Sequence, residues 1–133
     1  MTPEHHCQIL HIDDNPREIE LMQLALGDAD GPQVSYVGIT DPIAGVRQLT
    51  GDPVKLPSII MLDLNMPVMG GMQILQQLRG HASYRTVPVI IFTTSQRPAD
   101  RDRCLALGAT AVISKPTSFV DLLDVAKSIK AYC

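Results

Sequence analysis

No run of about 20 apolar residues occurs in this sequence, so nothing in it is expected to span a bilayer. No basic stripe is present either, and the net charge is −3 with a pI near 5.7. Nucleic acid and anionic membrane are therefore not expected as direct partners. The first residues, MTPEHHCQ, lack a basic segment followed by an apolar one, so no secretory signal is read there. Cysteine is scarce: Cys7, Cys104 and Cys133 are odd in number and widely spaced. They are expected to form neither a disulfide framework nor a CxxC site, and the expected compartment is the reducing cytoplasm. Low-complexity tracts and internal repeats are absent. What remains is 133 residues of ordinary globular composition, 45% apolar and 19% charged. That length suits one domain with its own core.

A rhythm runs along the chain: an apolar run, a turn signal, then a helical period. The first run is Ile9-Leu10-His11-Ile12, ending at Asp13-Asp14. Asn15, Pro16 and Glu18 then read as an N-cap, a first-turn proline and a first-turn acid. A second strand is expected near Val34 to Ile39. A third, from Ser58 to Leu62, ends at Asp63. A fourth, from Val87 to Phe92, ends at Thr93, and a fifth, from Ala111 to Ser114, ends at Lys115. Helices are expected near 42–50, 71–80 and 98–107, the last closed by Gly108, with a final one from Ser118. The Gly-, Asp- and Pro-rich stretches at 28–33 and 50–57 read as loops. Three strands are apolar at nearly every position, so both their faces must be covered. The pattern predicts a doubly wound five-stranded parallel sheet between helices. In such sheets ligands bind at the carboxyl ends of the strands, where the strand order reverses.

Those ends carry Asp13, Asp14, Asp63, Thr93 and Lys115. Any one of them could be a strand terminator or a helix cap; five at matching positions point to a site. Clustered carboxylates repel one another, and a hard divalent cation such as Mg²⁺ relieves the repulsion with oxygen ligands. Lys115 brings a mobile point charge and Thr93 a hydrogen-bond donor for a phosphoryl oxygen. A carboxylate can itself attack phosphorus to give an aspartyl phosphate.

The segments HIDDN, IIMLDLNMPVMGG, VIIFTTS and VISKP together resemble the receiver domain of two-component response regulators, the CheY-like family. Thr93 lies thirty residues after Asp63 and Lys115 fifty-two after it, as in that family. The resemblance covers about residues 8–131 of a single domain spanning 1–133, with 1–7 as an N-terminal tail. It implies the flavodoxin-like (CheY-like) (βα)5 fold. It implies Asp63 as phosphoacceptor, with Asp14 and Asp63 holding Mg²⁺ and Asp13 acting directly or through water. Asn65 would lend its backbone carbonyl to the metal, Thr93 would move toward the phosphoryl group, and Lys115 would pair with it. The Lys115-Pro116 bond is implied to be cis. The implied protein is a cytoplasmic signalling domain rather than an enzyme, though it supports its own phosphotransfer and autodephosphorylation. Its implied partners are a sensor histidine kinase or a histidine phosphotransfer protein. Longer loops around the second strand and helix resemble the small stand-alone regulators of bacterial phytochromes and other hybrid sensor kinases. No output module is read after residue 133, so the expected output is protein binding or onward phosphotransfer.

The chain departs from the family pattern at four places. Gly70-Gly71 stands where Asp-Gly is usual, so a looser start to the third helix is expected. Thr94 replaces a small residue after the switch hydroxyl and is expected to narrow access to Asp63. Val112 replaces an aromatic residue, which removes a rotamer switch; output must use Thr93 and backbone or helix movement. Ser95 sits where the family varies and is expected to tune hydrolysis.

The remaining polar and sulfur residues have plainer readings. His5 and His6 read as a solvated tail, and His11 as a core or edge histidine rather than a ligand. Met61, Met66, Met69 and Met72 read as packing near Asp63, and Cys104 as core. Cys133 reads as an exposed thiol open to oxidation. Leu122, Val125, Ile129 and Tyr132 broaden the apolar side of the last helix. They fit either a buried helix or a partner surface, including a homodimer through the fourth and fifth helices.

Two other functions compete. An aspartyl-nucleophile phosphatase of the haloacid-dehalogenase type needs a second acid two residues on, where Asn65 stands. A phosphorylation-independent module with the same fold would keep its partner in an Asp63→Ala variant. A P-loop or Rossmann site is excluded, because no Gly-rich fingerprint follows the first strand.

Overall fold

The computed structural model describes residues 7–51 and 56–133. His5 and His6, and part of the expected 50–57 loop, lie outside the described residues. Five strands and five helices alternate: β1 (Cys7–Ile12), α1 (Pro16–Asp28), β2 (Val34–Ile39), α2 (Pro42–Thr50), β3 (Ile59–Leu62), α3 (Gly71–Arg79), β4 (Val89–Thr93), α4 (Pro98–Ala106), β5 (Ala111–Ser114) and α5 (Phe119–Lys130). A short 3₁₀ turn, Ala82–Tyr84, follows α3. The sheet is parallel throughout, in the order β2-β1-β3-β4-β5. This is the doubly wound fold that the apolar runs predict. The strand order reverses between β1 and β3, which opens the crevice where such sheets bind ligands.

Period-2 alternation divides the core into two layers. Leu10, Ile12, Ile60, Leu62, Val89 and Ile91 pack with Leu49, Ile74, Leu75, Leu78 and Cys104 on one face. Ile9, Ile59, Met61, Ile90 and Phe92 pack with Met22, Ala25 and Leu26 of α1 and Leu122, Ala126 and Ile129 of α5 on the other. Every residue of β3 and β4 is buried, whereas β2 and β5 are half-exposed edges. No helix among the described residues is long and apolar enough to cross a membrane.

Local chemistry fixes where the helices begin. The Asn15 side chain accepts from the Arg17 N–H, the Asp41 side chain from Ile43, and the Ser118 hydroxyl from Asp121. Helix α4 closes on Gly108, whose φ of +105° suits a residue without Cβ. Gly70 offers no side-chain cap, and the Gln73 side chain accepts from the Gly70 N–H at 3.2 Å. A Cβ on Gly71 would lie 2.3 Å from the Asp63 carbonyl oxygen, so α3 abuts the end of β3 directly.

The cysteine expectation is corrected. Cys7 at the start of β1 and Cys133 beyond α5 are joined as a disulfide, with Cα atoms 5.4 Å apart and a sequence separation of 126. Spacing could not show this pair, because the fold brings the start of β1 beside the end of the last helix. Cys104 is free and buried, as read from sequence.

Candidate functional site

Backbone pairing carries two of the acids to one place. The Asp13 N–H donates to the Ile39 carbonyl and the Asp63 N–H to the Ile12 carbonyl, extending the ladder one step past Ile12 and Leu62. Asp14 follows on the exposed rim. One carboxylate oxygen from each of Asp13, Asp14 and Asp63 lies within 4.8 Å of the others. Asp13 is fully buried, Asp63 nearly so, and Asp14 exposed.

Lys115 enters from the end of β5. Its Nζ donates to Asp13 Oδ2 at 2.7 Å and stands 3.6 Å from Asp63 Oδ1. The resemblance pairs this lysine with Asp63 or a phosphoryl group; here its nearer partner is Asp13. The ammonium also lies 5.8 Å from the Phe92 ring centroid. Neighbouring carboxylates hold its pKa up against the effect of burial. Asp13 is engaged on both oxygens, because its Oδ1 accepts from the Asn15 N–H at 3.0 Å.

Burial pushes the Asp63 carboxyl up to about 6; Lys115 opposes this, Asp13 and Asp14 reinforce it, and the Asn65 backbone N–H opposes it by donating to the carboxylate. A carboxyl raised by burial and by two like charges fits a cation site, since a divalent ion would relieve both. The donor set, all oxygen, suits a hard cation.

Thr93, at the end of β4, is buried, and its Oγ1 accepts from the Ser95 N–H at 3.1 Å. Ser95 turns its own hydroxyl outward to Asp100 Oδ2 at 2.7 Å. Thr94 is exposed on the rim. Val112 is half-buried, and Arg101 Nη1 donates to its carbonyl at 3.0 Å across the α4–β5 groove. The structure thus gathers Asp13, Asp14, Asp63, Thr93 and Lys115 at one sheet edge, with Asn65 on the loop after β3.

Two residues close to the site escaped the sequence reading as partners. His11 is fully buried behind Asp13, with Nδ1 2.7 Å from the Tyr36 hydroxyl and Nε2 3.9 Å from Asp13 Oδ2. The available signal was a histidine at an inward position of an otherwise apolar strand, two residues before an acid. Tyr36, on an edge strand, carried no signal of its own.

The sequence matches the response regulator receiver domain family over residues 9–127. The two-component response regulator ARR8 of Arabidopsis thaliana is 30% identical over 116 residues, covering 87% of this chain and 47% of its own. Among solved structures, phosphorylated RcpA, a cyanobacterial phytochrome response regulator, superposes with a TM-score of 0.83 at 24% identity, over 96% of this chain and 93% of its own. The Mn²⁺-bound response regulator Rcp1 gives 0.82 at 23% identity, over 94% and 92%. This chain belongs to the response regulator receiver domain family, whose members are signalling domains of two-component systems. It spans about half the length of the first curated relatives it matches.

Proposed function

We propose that residues 1–133 form a single receiver domain that accepts a phosphoryl group on Asp63 from a sensor histidine kinase or a histidine phosphotransfer protein. The observation that carries this reading is the convergence of Asp13, Asp14 and Asp63 within 4.8 Å, with Lys115 Nζ 3.6 Å from Asp63. A carboxylate oxygen of Asp63 attacks phosphorus as the bond to the donor's imidazole nitrogen breaks; the imidazole keeps the electron pair and takes up a proton. Asp14 and Asp63 would hold Mg²⁺ with the Asn65 carbonyl. Asp13, with one hydrogen bond accepted on each oxygen, would act directly or through water. The bound ion supplies neutralisation of charge on the transferring group. The Mn²⁺ in Rcp1 supports a divalent ion here. Lys115 then turns to the phosphoryl oxygens, and Thr93 gives up Ser95 to donate to them. Ser95 and the exposed Thr94 tune access and hydrolysis.

The output is protein binding or onward phosphotransfer, in the cytoplasm. Leu105 of α4, Phe119 and Val120 of α5 and the adjoining Tyr132 are exposed, which supports a partner or homodimer surface on these helices. With Val112 in place of an aromatic residue, the signal reaches that surface through Thr93 and movement of backbone or helix. The likeness to RcpA, a phytochrome response regulator, supports a small regulator of the type that serves phytochromes or other hybrid sensor kinases.

Intact mass after incubation with acetyl phosphate tests the reading. One phosphoryl adduct is expected, needing Mg²⁺ and absent from Asp63→Asn. An adduct that persists in Asp63→Asn contradicts the reading, as does no adduct from either acetyl phosphate or a histidine phosphodonor.

A further inference from the structure

The two sulfurs of the Cys7–Cys133 disulfide differ in exposure. Cys7 is 5% exposed and packs in the core layer beneath α1 and α5. Cys133, in the turn after α5, is open to solvent. A dissolved thiol or disulfide therefore reaches one sulfur and not the other. Exposed disulfides are the labile ones, whereas a structural staple keeps both sulfurs enclosed.

Both cysteines are held in place by contacts other than the bond. Cys7 pairs in register with Val34 of β2. Ala126 and Ile129 seat the end of α5 in the core, and Lys130 anchors it to the end of α1. The Lys130 Nζ donates to the Ala29 carbonyl at 2.9 Å. Its stem lies against Gly31, where a Cβ would stand 3.1 Å from Lys130 Cδ. From that anchor a tight turn carries Cys133 back to β1. In it the Tyr132 N–H donates to the Ile129 carbonyl and the Cys133 N–H to the Lys130 carbonyl, each at 3.0 Å. The Cα atoms of the two cysteines are 5.4 Å apart, within ordinary disulfide reach. Opening the bond removes none of these anchors, so it leaves two thiols side by side and ready to close again.

We propose that Cys7 and Cys133 are a redox-active pair that exchanges with low-molecular-weight disulfides of the glutathione class. Cys133 is the site of modification and Cys7 the resolving thiol. In closure the Cys133 thiolate attacks one sulfur of glutathione disulfide. The Cys133–glutathione bond forms, the glutathione S–S bond breaks, and one glutathione leaves as thiolate. The Cys7 thiolate then attacks the Cys133 sulfur and the second glutathione leaves. Two protein thiols are oxidised, one glutathione disulfide is reduced to two glutathiones, and the two thiol protons pass to them through solvent. Opening runs the same steps backward, with reduced glutathione attacking the Cys133 sulfur and Cys7 leaving. The pair lies at the opposite end of β1 from Asp13, and the proposal does not rest on phosphoryl transfer to Asp63.

The test follows the folded protein by intact mass after acid quenching, with adducts located by peptide mapping. Reduced wild type given glutathione disulfide is expected to carry a transient adduct on Cys133 and to end as the internal disulfide. Oxidised wild type given reduced glutathione is expected to open through the same adduct. Cys7→Ser lacks the resolving thiol and should retain the adduct on Cys133. In Cys133→Ser, the buried Cys7 should react about tenfold more slowly than Cys133 does in Cys7→Ser. Cys104, free and buried, should stay unmodified in every protein that remains folded. If a variant unfolds and exposes Cys104, the position of the wild-type adduct decides the site. An adduct found first on Cys7, or equal rates in the two variants, overturns the assignment of roles. A wild-type disulfide that reduced glutathione never opens is a permanent staple, and a reduced wild type that never closes is no pair; either result overturns the proposal.

Discussion

Lys115 pairs with Asp13, at 2.7 Å, more closely than with Asp63, at 3.6 Å. The lysine rests on the deeper acid and leaves the shallower one in reach. Removing it strands a buried carboxylate. Lys115→Met is expected to destabilise the protein by about 3 kcal/mol, read by urea denaturation without metal. Adding Asp13→Asn should recover much of that loss. Additive losses in the double variant would mean that the two side chains do not interact as a pair.

Asp63 makes the metal-free protein sensitive to pH. Its folded value of about 6 lies above the ordinary 3.8, so the folded state holds the proton more tightly. The contribution of Asp63 to stability is therefore fully present below about 3.8 and is lost as pH rises through 6. Asp63→Asn should be the more stable protein at pH 7.5, by about 2–3 kcal/mol, and gain little at pH 4. Thermal melts of both proteins in chelator check this. A gain of equal size at both pH values would place its cause elsewhere.

Ion binding should reverse that trend. Mg²⁺ takes the ionised form of Asp63, so its affinity is expected to fall as pH drops below about 6. Calorimetric titration at pH 5 and pH 7.5 reads the difference. Equal affinity at the two values would remove Asp63 from the ligand set.

The Cys7–Cys133 bond closes a loop across 126 positions. In the chain-entropy account, losing it costs about 4–5 kcal/mol, so reductant or Cys7→Ser should lower the urea midpoint sharply. Thiol counting without reductant should find one free thiol, Cys104. Three would mean that the pair is held reduced, as the cytoplasm favours.

Val68 has φ of +70° and is 86% exposed, a left-handed conformation that β-branched residues resist. Val68→Asn is expected to raise stability by about 1 kcal/mol, seen as a higher melting temperature.

Much of this architecture was legible in the sequence because the cues are local. Apolar runs marked β1, β3 and β4, and Asn15, Pro16, Gly108 and Ser118 marked helix ends within a residue or two. The site was legible for the same reason: each polar residue ends an apolar run, and a parallel sheet aligns those ends. What escaped depended on pairs remote in sequence. Cys7 and Cys133 meet only once the sheet and α5 are assembled. His11 finds Tyr36 across the β1–β2 ladder, where neither residue's spacing carries information. The Gln73 contact to the Gly70 N–H also escaped, because Gln73 was read only as part of a helix.

The most direct measurement is the position of the phosphoryl group. Protein treated with acetyl phosphate and Mg²⁺ is reduced with borohydride, which converts an aspartyl phosphate to homoserine, and is then sequenced by mass spectrometry. The account predicts homoserine at residue 63 and nowhere else. An intact Asp63 beside a phosphorylated histidine, or homoserine at Asp13 or Asp14, would contradict it.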